Sequence, residues 1–245
     1  MKAMLFAAGL GTRLQPLTDD KPKALVSIGG KTLLERSINY LKNNNISEMV
    51  INVHHFSQQI KDFIESHDFG IPVHISDETE QLLDTGGGLL KARELLMSDS
   101  PILLTNVDIL TNIDIQKFLQ FHVQSGALAT LATRNRPTSR YLLFDTDNQL
   151  VGWKNISTGQ IIKSREFIDM EVFPIAFSGI QIIEPRLLSL ITETGKFSII
   201  DLYLRLASYM KIGAFYEENS LWMDLGKYED VPKAEQLAKQ IDQSR

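Results

Sequence analysis

Over its first half the chain alternates short apolar runs with longer amphipathic stretches, and this alternation constrains the fold more than any single residue does. The runs AMLFA, MVINV, PVHIS, PILLTN and LATLAT read as strands. Between them, LLERSINYLKN, QQIKDFIES, GLLKARELLM and IQKFLQFHV place apolar residues at helical spacing. Strands separated by helices build a Rossmann-like α/β fold, a mixed, mostly parallel sheet with helices on both faces. In such sheets ligands gather in the loops at the carboxyl ends of the strands.

After Thr133 the rhythm changes. RYLLFDTDNQLVGWKN reads as two strands joined by a polar turn, and EVFPIAFSGIQII as a further long strand. Helical stretches at PRLLSLI and IIDLYLRLASYM follow, then strand-like GAFYE and LWMDLG, and a terminal helix from about Val231. With 245 residues, 43% of them hydrophobic, the chain has ample material for a large core. No linker, low-complexity tract or repeat divides it, so the expectation is one domain over 1–245, with one half at about 1–133 and a β-rich half at about 134–245.

Composition excludes several classes. There are no cysteines, which removes disulfides, thiolate metal sites and cysteine nucleophiles, and fits a reducing cytoplasm. The opening MKAMLFAAGLG is too short an apolar run for a secretory signal. No stretch reaches the roughly 18 apolar residues of a membrane span. A net charge of −5 without a long basic stripe argues against nucleic-acid binding, while a local basic site for a phosphorylated small molecule stays open.

That local site is the first strand–helix connection, LFAAGLGTRLQPLTDDKPKALVSIGGKTLLE. Gly9 and Gly11 let the backbone approach a ligand and leave N–H groups free to cradle phosphate. Arg13 can grip phosphate oxygens bidentately, and Lys23 follows Pro22. Pro16 and Pro22 stiffen a loop that orders two like charges, a cost that bound anions would offset.

The run resembles the signature of the sugar-1-phosphate nucleotidyltransferases, supplied here by LFAAGLGTRLQPLT and KPKAL, with Phe6 in place of an aliphatic residue. Leu83-Asp84-Thr85-Gly86-Gly87-Gly88 is similar to the family's second nucleotide-binding segment, Asn106-Val107-Asp108 to its metal turn, and Trp222-Met223-Asp224-Leu225-Gly226 to its Trp-x-Asp-x-Gly motif. Within the family, the Asp-Thr-Gly-Gly-Gly run, the Asn-x-x-His turn at Asn52 with His55 or the adjacent His54, and the compact length look most like the N-acetylmuramate-1-phosphate uridylyltransferases. Mannose-1-phosphate guanylyltransferase is the alternative, then phosphocholine cytidylyltransferase. A regulatory subunit that binds nucleotide sugars without catalysis is the reading from a different class.

The resemblance implies substrates, a nucleoside triphosphate and a sugar-1-phosphate, and a first half that binds the nucleotide while the second binds the sugar. Arg13 and Lys23 would be catalytic, one holding the triphosphate, the other balancing charge at the α-phosphate. Ala8, Gly9, Gly11 and Thr12 would contact the nucleotide, with Thr85 and Gly86 on the opposite wall and Glu78 accepting from the base. Asn52, Asn106, Lys154 and Gly179 would meet the sugar phosphate. Asp108 and Asp224, each at the end of a strand-like run, would hold Mg²⁺, which suits carboxylates together with phosphate oxygens. Val107 stands where glycine is common and Lys227 where threonine is common, but neither removes a ligand. His54-His55 is not read as a metal pair, since neighbours on a strand point to opposite faces. A monomer or homodimer is expected.

Overall fold

A computed structural model describes residues 1–166 and 171–244. The chain enters through β1 (Lys2–Phe6) and passes into the glycine loop, which holds single 3-10 turns at Thr12–Leu14 and Lys23–Leu25. A small hairpin, β2 (Ser27–Ile28) and β3 (Lys31–Thr32), leads to α1 (Leu33–Asn43). Thr32 starts that helix, its hydroxyl accepting the Glu35 N–H at 3.0 Å. Then come β4 (Glu48–Val53), α2 (Ser57–Glu65), β5 (Val73–Asp77), α3 (Asp84–Lys91) and α4 (Arg93–Leu96). The first half closes with β6 (Ile102–Asn106), β7 (Ile109–Thr111), α5 (Ile115–Ser125) and β8 (Ala129–Arg134).

The second half opens with the meander β9 (Arg140–Phe144), β10 (Leu150–Asn155) and β11 (Ile161–Lys163). It continues through β12 (Phe173–Ile183), α6 (Ile199–Leu206), β13 (Ile212–Tyr216), β14 (Trp222–Asp224) and α7 (Val231–Gln243).

Ten strands form one mixed sheet in the order β11-β10-β9-β12-β6-β1-β4-β5, with β8 pairing β12 and β13. The β6-β1-β4-β5 part is parallel, and its register sets Phe6 opposite both Asn52 and Asn106. Three strand ends therefore share one rim of the sheet. β1 is buried on both faces: Ala3 and Leu5 join one core cluster while Met4 and Phe6 join the other. This two-sided burial is why its sequence is continuously apolar rather than alternating.

β12 holds the two halves together. Its first residues pair with β9, its last with β6, and β8 lies along its other edge. Between Phe177 and Gln181 the register breaks, at Gly179, whose φ of 76° lies in the left-handed region. Apart from this sheet, β7 and β14 form a two-stranded ladder that sets Trp222 opposite Thr111 and Asp224 opposite Ile109.

One helix departs from its sequence pattern. The stretch GLLKARELLM predicts a helix starting at Gly88, yet α3 begins at Asp84 and takes in Thr85-Gly86-Gly87-Gly88 before breaking at Ala92. The glycines are there because nothing larger fits. A Cβ on Gly86 would lie 2.3 Å from the Phe197 ring, one on Gly87 2.3 Å from the Gly195 carbonyl oxygen, and one on Gly88 2.6 Å from Glu78 Oε1.

Candidate active site

At the carboxyl ends of β1, β4 and β6 lies a cleft of about 480 Å³. One side is the glycine loop from Ala7 to Leu14, and the other is the start of α3 at Asp84 and Thr85. The loop is folded on itself. Gly11 has a φ of 68°, and its carbonyl accepts both the Leu14 N–H and the Thr18 hydroxyl at 2.9 Å. A Cβ on Gly11 would stand 3.1 Å from Lys23 Cβ, so this glycine lets the lysine stem pack directly against the loop.

Lys23 Nζ donates to Asp108 Oδ2, joining the loop to the turn after β6. The other oxygen of Asp108 accepts no bond from the described residues. Arg13 is exposed, and its guanidinium lies near Gly226, where a Cβ would come within 3.8 Å of Nη2. Arg13 has no carboxylate partner among the described residues. Of these two loop cations, one is thus paired to an aspartate and the other is unpaired.

The floor is a buried chain of hydrogen bonds. Asn52 Oδ1 accepts the Ala7 N–H at 2.8 Å, and Asn52 Nδ2 donates to Glu78 Oε1 at 2.7 Å. The second carboxylate oxygen of Glu78 accepts the Leu83 N–H at 3.1 Å, just before α3. Glu78 has no exposed surface, and burial raises its pKa above the ordinary 4.5 even though two donors favour the ionised form. Asn52 and Glu78 therefore tie the first loop residue to the start of the opposite wall.

That wall is anchored from the far half of the chain. Thr85 Oγ1 accepts the Ile199 N–H at 3.0 Å, and the Gly86 N–H donates to the Phe197 carbonyl at 3.0 Å.

Of the residues singled out from sequence, Ala8, Gly9, Gly11, Thr12, Arg13, Lys23, Asn52, Glu78, Thr85, Asn106 and Asp108 line this cleft. Gly86, Lys154, Gly179 and Asp224 lie outside its lining. Gly86 faces Phe197, and Lys154 sits in β10 opposite Tyr141. Gly179 packs on the cleft residue Asn106, where a Cβ would lie 3.1 Å from Asn106 Nδ2. Asp224 is exposed beside the Asp108 turn, since the Leu225 N–H donates to the Asp108 carbonyl at 2.9 Å. No group of three or more acidic or histidine side chains among the described residues is arranged around a metal position.

Sequence reading missed Lys196, an exposed cation without an ion-pair partner among the described residues that lines the cleft beside Thr85. No local pattern marks it, because it reaches the site only through the packing of Gly195 and Phe197 on the α3 glycines. It missed Gly226 too, although the Trp-x-Asp-x-Gly motif contains it.

Free cations on a backbone-lined cleft suit a phosphorylated ligand. Comparison with known proteins agrees. The family model described as Nucleotidyl transferase matches residues 2–241. The N-acetylmuramate alpha-1-phosphate uridylyltransferase of Caulobacter vibrioides is 31% identical over 233 residues, covering 91% of each chain. The mannose-1-phosphate guanylyltransferase catalytic subunit beta of Dictyostelium discoideum is 28% identical, over 94% of this chain and 62% of that one. Among solved structures, HddC from Yersinia pseudotuberculosis shares the fold at a TM-score of 0.73 and 21% identity, covering 100% of this chain and 99% of HddC. The chain belongs to the nucleotidyl transferase family, as an enzyme of its sugar-phosphate branch.

Proposed function

We propose that this enzyme joins UTP to N-acetylmuramate 1-phosphate, releasing pyrophosphate. The likeness to the Caulobacter vibrioides enzyme carries this reading, because it extends over 91% of both chains. The relative of mannose-1-phosphate guanylyltransferase type is matched over only 62% of its own length. Glu78 does not separate the two bases: it has no exposed surface and each of its oxygens already accepts an internal hydrogen bond, so it offers an open edge to neither uracil nor guanine.

In the proposed reaction an oxygen of the sugar phosphate attacks the α-phosphorus of the triphosphate, and pyrophosphate leaves with its bonding pair. No covalent enzyme intermediate is required. The work is to hold two polyanions together and align them. Loop N–H groups around Gly9 and Gly11 cradle phosphate, with Ala8 and Thr12 beside them. Arg13 offers its open guanidinium to the departing pyrophosphate oxygens. Lys23, already held by Asp108 at the loop edge, balances charge at the α-phosphate as attack proceeds. Thr85 forms the wall facing the base.

Asp108 and Asp224 fit a magnesium ion, because one oxygen of Asp108 is unengaged, Asp224 is exposed beside the same turn, and this cation takes one or two carboxylates with phosphate oxygens completing its shell. When bound it would neutralise phosphate charge. Asn106 and Lys154 are assigned to the sugar phosphate, and Gly179 to shaping Asn106. Asn52 is assigned to the loop rather than the sugar, since both ends of its amide are occupied.

Pyrophosphate release measured with UTP, GTP, CTP and dTTP, each crossed with a panel of sugar 1-phosphates, tests the reading. Highest kcat/KM for UTP with N-acetylmuramate 1-phosphate supports it. A preference for GTP with mannose 1-phosphate would overturn it.

A further inference from the structure

Trp222, at the start of β14, carries a guanidinium on its ring from each of two arginines. Arg134 lies 5.0 Å and Arg136 4.8 Å from the ring centroid. The indole is itself fixed, its Nε1–H donating to the Ser178 carbonyl at 2.9 Å. Arg136 Nη2 donates to the neighbouring Phe177 carbonyl at 3.0 Å. The stack is thereby fastened to Phe177-Ser178-Gly179, the segment whose glycine packs on the cleft residue Asn106.

The two cations are not equivalent. Arg134 has acidic neighbours in Glu217 and Glu218, and its Nη2 donates to the Glu217 carbonyl at 3.1 Å and to Ser220 Oγ at 3.0 Å. Arg136 has no carboxylate partner among the described residues, only backbone carbonyls. Two like charges on one ring repel, and Arg136 lacks the acid that offsets its neighbour. Three buried polar atoms of this stack also have no partner: Arg134 Nε, Arg136 Nε and the hydroxyl of Ser178, a residue only 3% exposed. Groups buried without partners carry a cost that an arriving acceptor removes.

We propose that Arg136 receives a carboxylate on the sugar-phosphate substrate and selects an acidic sugar over its neutral counterpart. The inference rests on the reading above that the sugar is N-acetylmuramate, whose lactyl ether carries that carboxylate. A planar guanidinium preorganised on an aromatic face suits bidentate carboxylate recognition, which lysine does not reproduce.

The test compares N-acetylmuramate 1-phosphate with N-acetylglucosamine 1-phosphate, which lacks the carboxylate, in the wild type, Arg136→Gln and Arg136→Lys. Arg136→Gln should raise KM for the acidic sugar by about 10- to 100-fold, as loss of a charge-assisted pair does. Its kcat should change little, and KM for the neutral sugar should stay within about twofold. Arg136→Lys should recover part of the loss, and it keeps the experiment decisive should the glutamine variant fail to fold. Equal losses with both sugars would make Arg136 a structural clamp and overturn the proposal, as would no loss with either. If the wild type does not turn over N-acetylmuramate 1-phosphate, the substrate reading fails separately. Glucuronate 1-phosphate against glucose 1-phosphate then decides the role of Arg136. An acid preference abolished in Arg136→Gln supports it, and no acid preference in the wild type overturns it.

Discussion

Lys23 and Asp108 retain 13% and 21% of their side-chain exposure, so each is oriented by the other before any ligand arrives. Replacing Lys23 with alanine should lower kcat by about 10²- to 10³-fold, the scale of losing one transition-state charge contact. The melting temperature should shift by only a few degrees; an equal loss of stability and rate would make the lysine structural. Asp108→Asn should reduce magnesium-supported turnover comparably while nucleotide binding, followed by calorimetry, partly survives; unchanged turnover would remove the metal assignment. Glu78 makes a different prediction. Its folded pKa is raised above 4.5 by burial, so the fold favours the protonated form. The linked stability is complete below that unfolded value and declines as pH rises through the folded one. Glu78→Gln should erase this falling component from unfolding free energies measured by denaturant at about pH 4 to 8. Identical pH slopes in the two proteins would show that Glu78 does not titrate there.

Among the elements, α3 was least legible. Glycine costs roughly 1 kcal/mol relative to alanine inside a helix, so Gly86 and Gly87 fell outside the helix that the sequence predicts from Gly88. Tertiary packing overrides that preference, because Phe197, Gly195 and Glu78 occupy the space side chains would need. Gly86→Ala should therefore destabilise the protein by about 1–3 kcal/mol through overpacking against Phe197. Combined with Phe197→Ala, which clears the space, it should cost less than the sum of the two single changes. Strict additivity in that double-mutant cycle would mean that the ring is not what excludes a side chain. By contrast α1 matches its sequence pattern over Leu33–Asn43, since a capping threonine and one apolar face mark it locally.

At the scale of the whole molecule, β12 pairs with β9, β8 and β6, so neither half closes its sheet without the other. Unfolding should be a single cooperative transition, coincident by tryptophan fluorescence and far-ultraviolet circular dichroism. Separate midpoints would mean that the halves are independent. The same long-range connections divide what could be read in advance. The order of strands and helices, the glycine loop carrying Arg13 and Lys23, and Asp108 at a strand end were legible because hydrophobic period, glycine and charge act over a few neighbouring residues. Lys196 in the cleft, Asn52 and Glu78 as a buried tie, and Arg136 on Trp222 emerged only in three dimensions. Each depends on burial and contact between segments far apart in the chain, and burial decides whether a polar side chain is solvated, spent on the fold or left for a ligand.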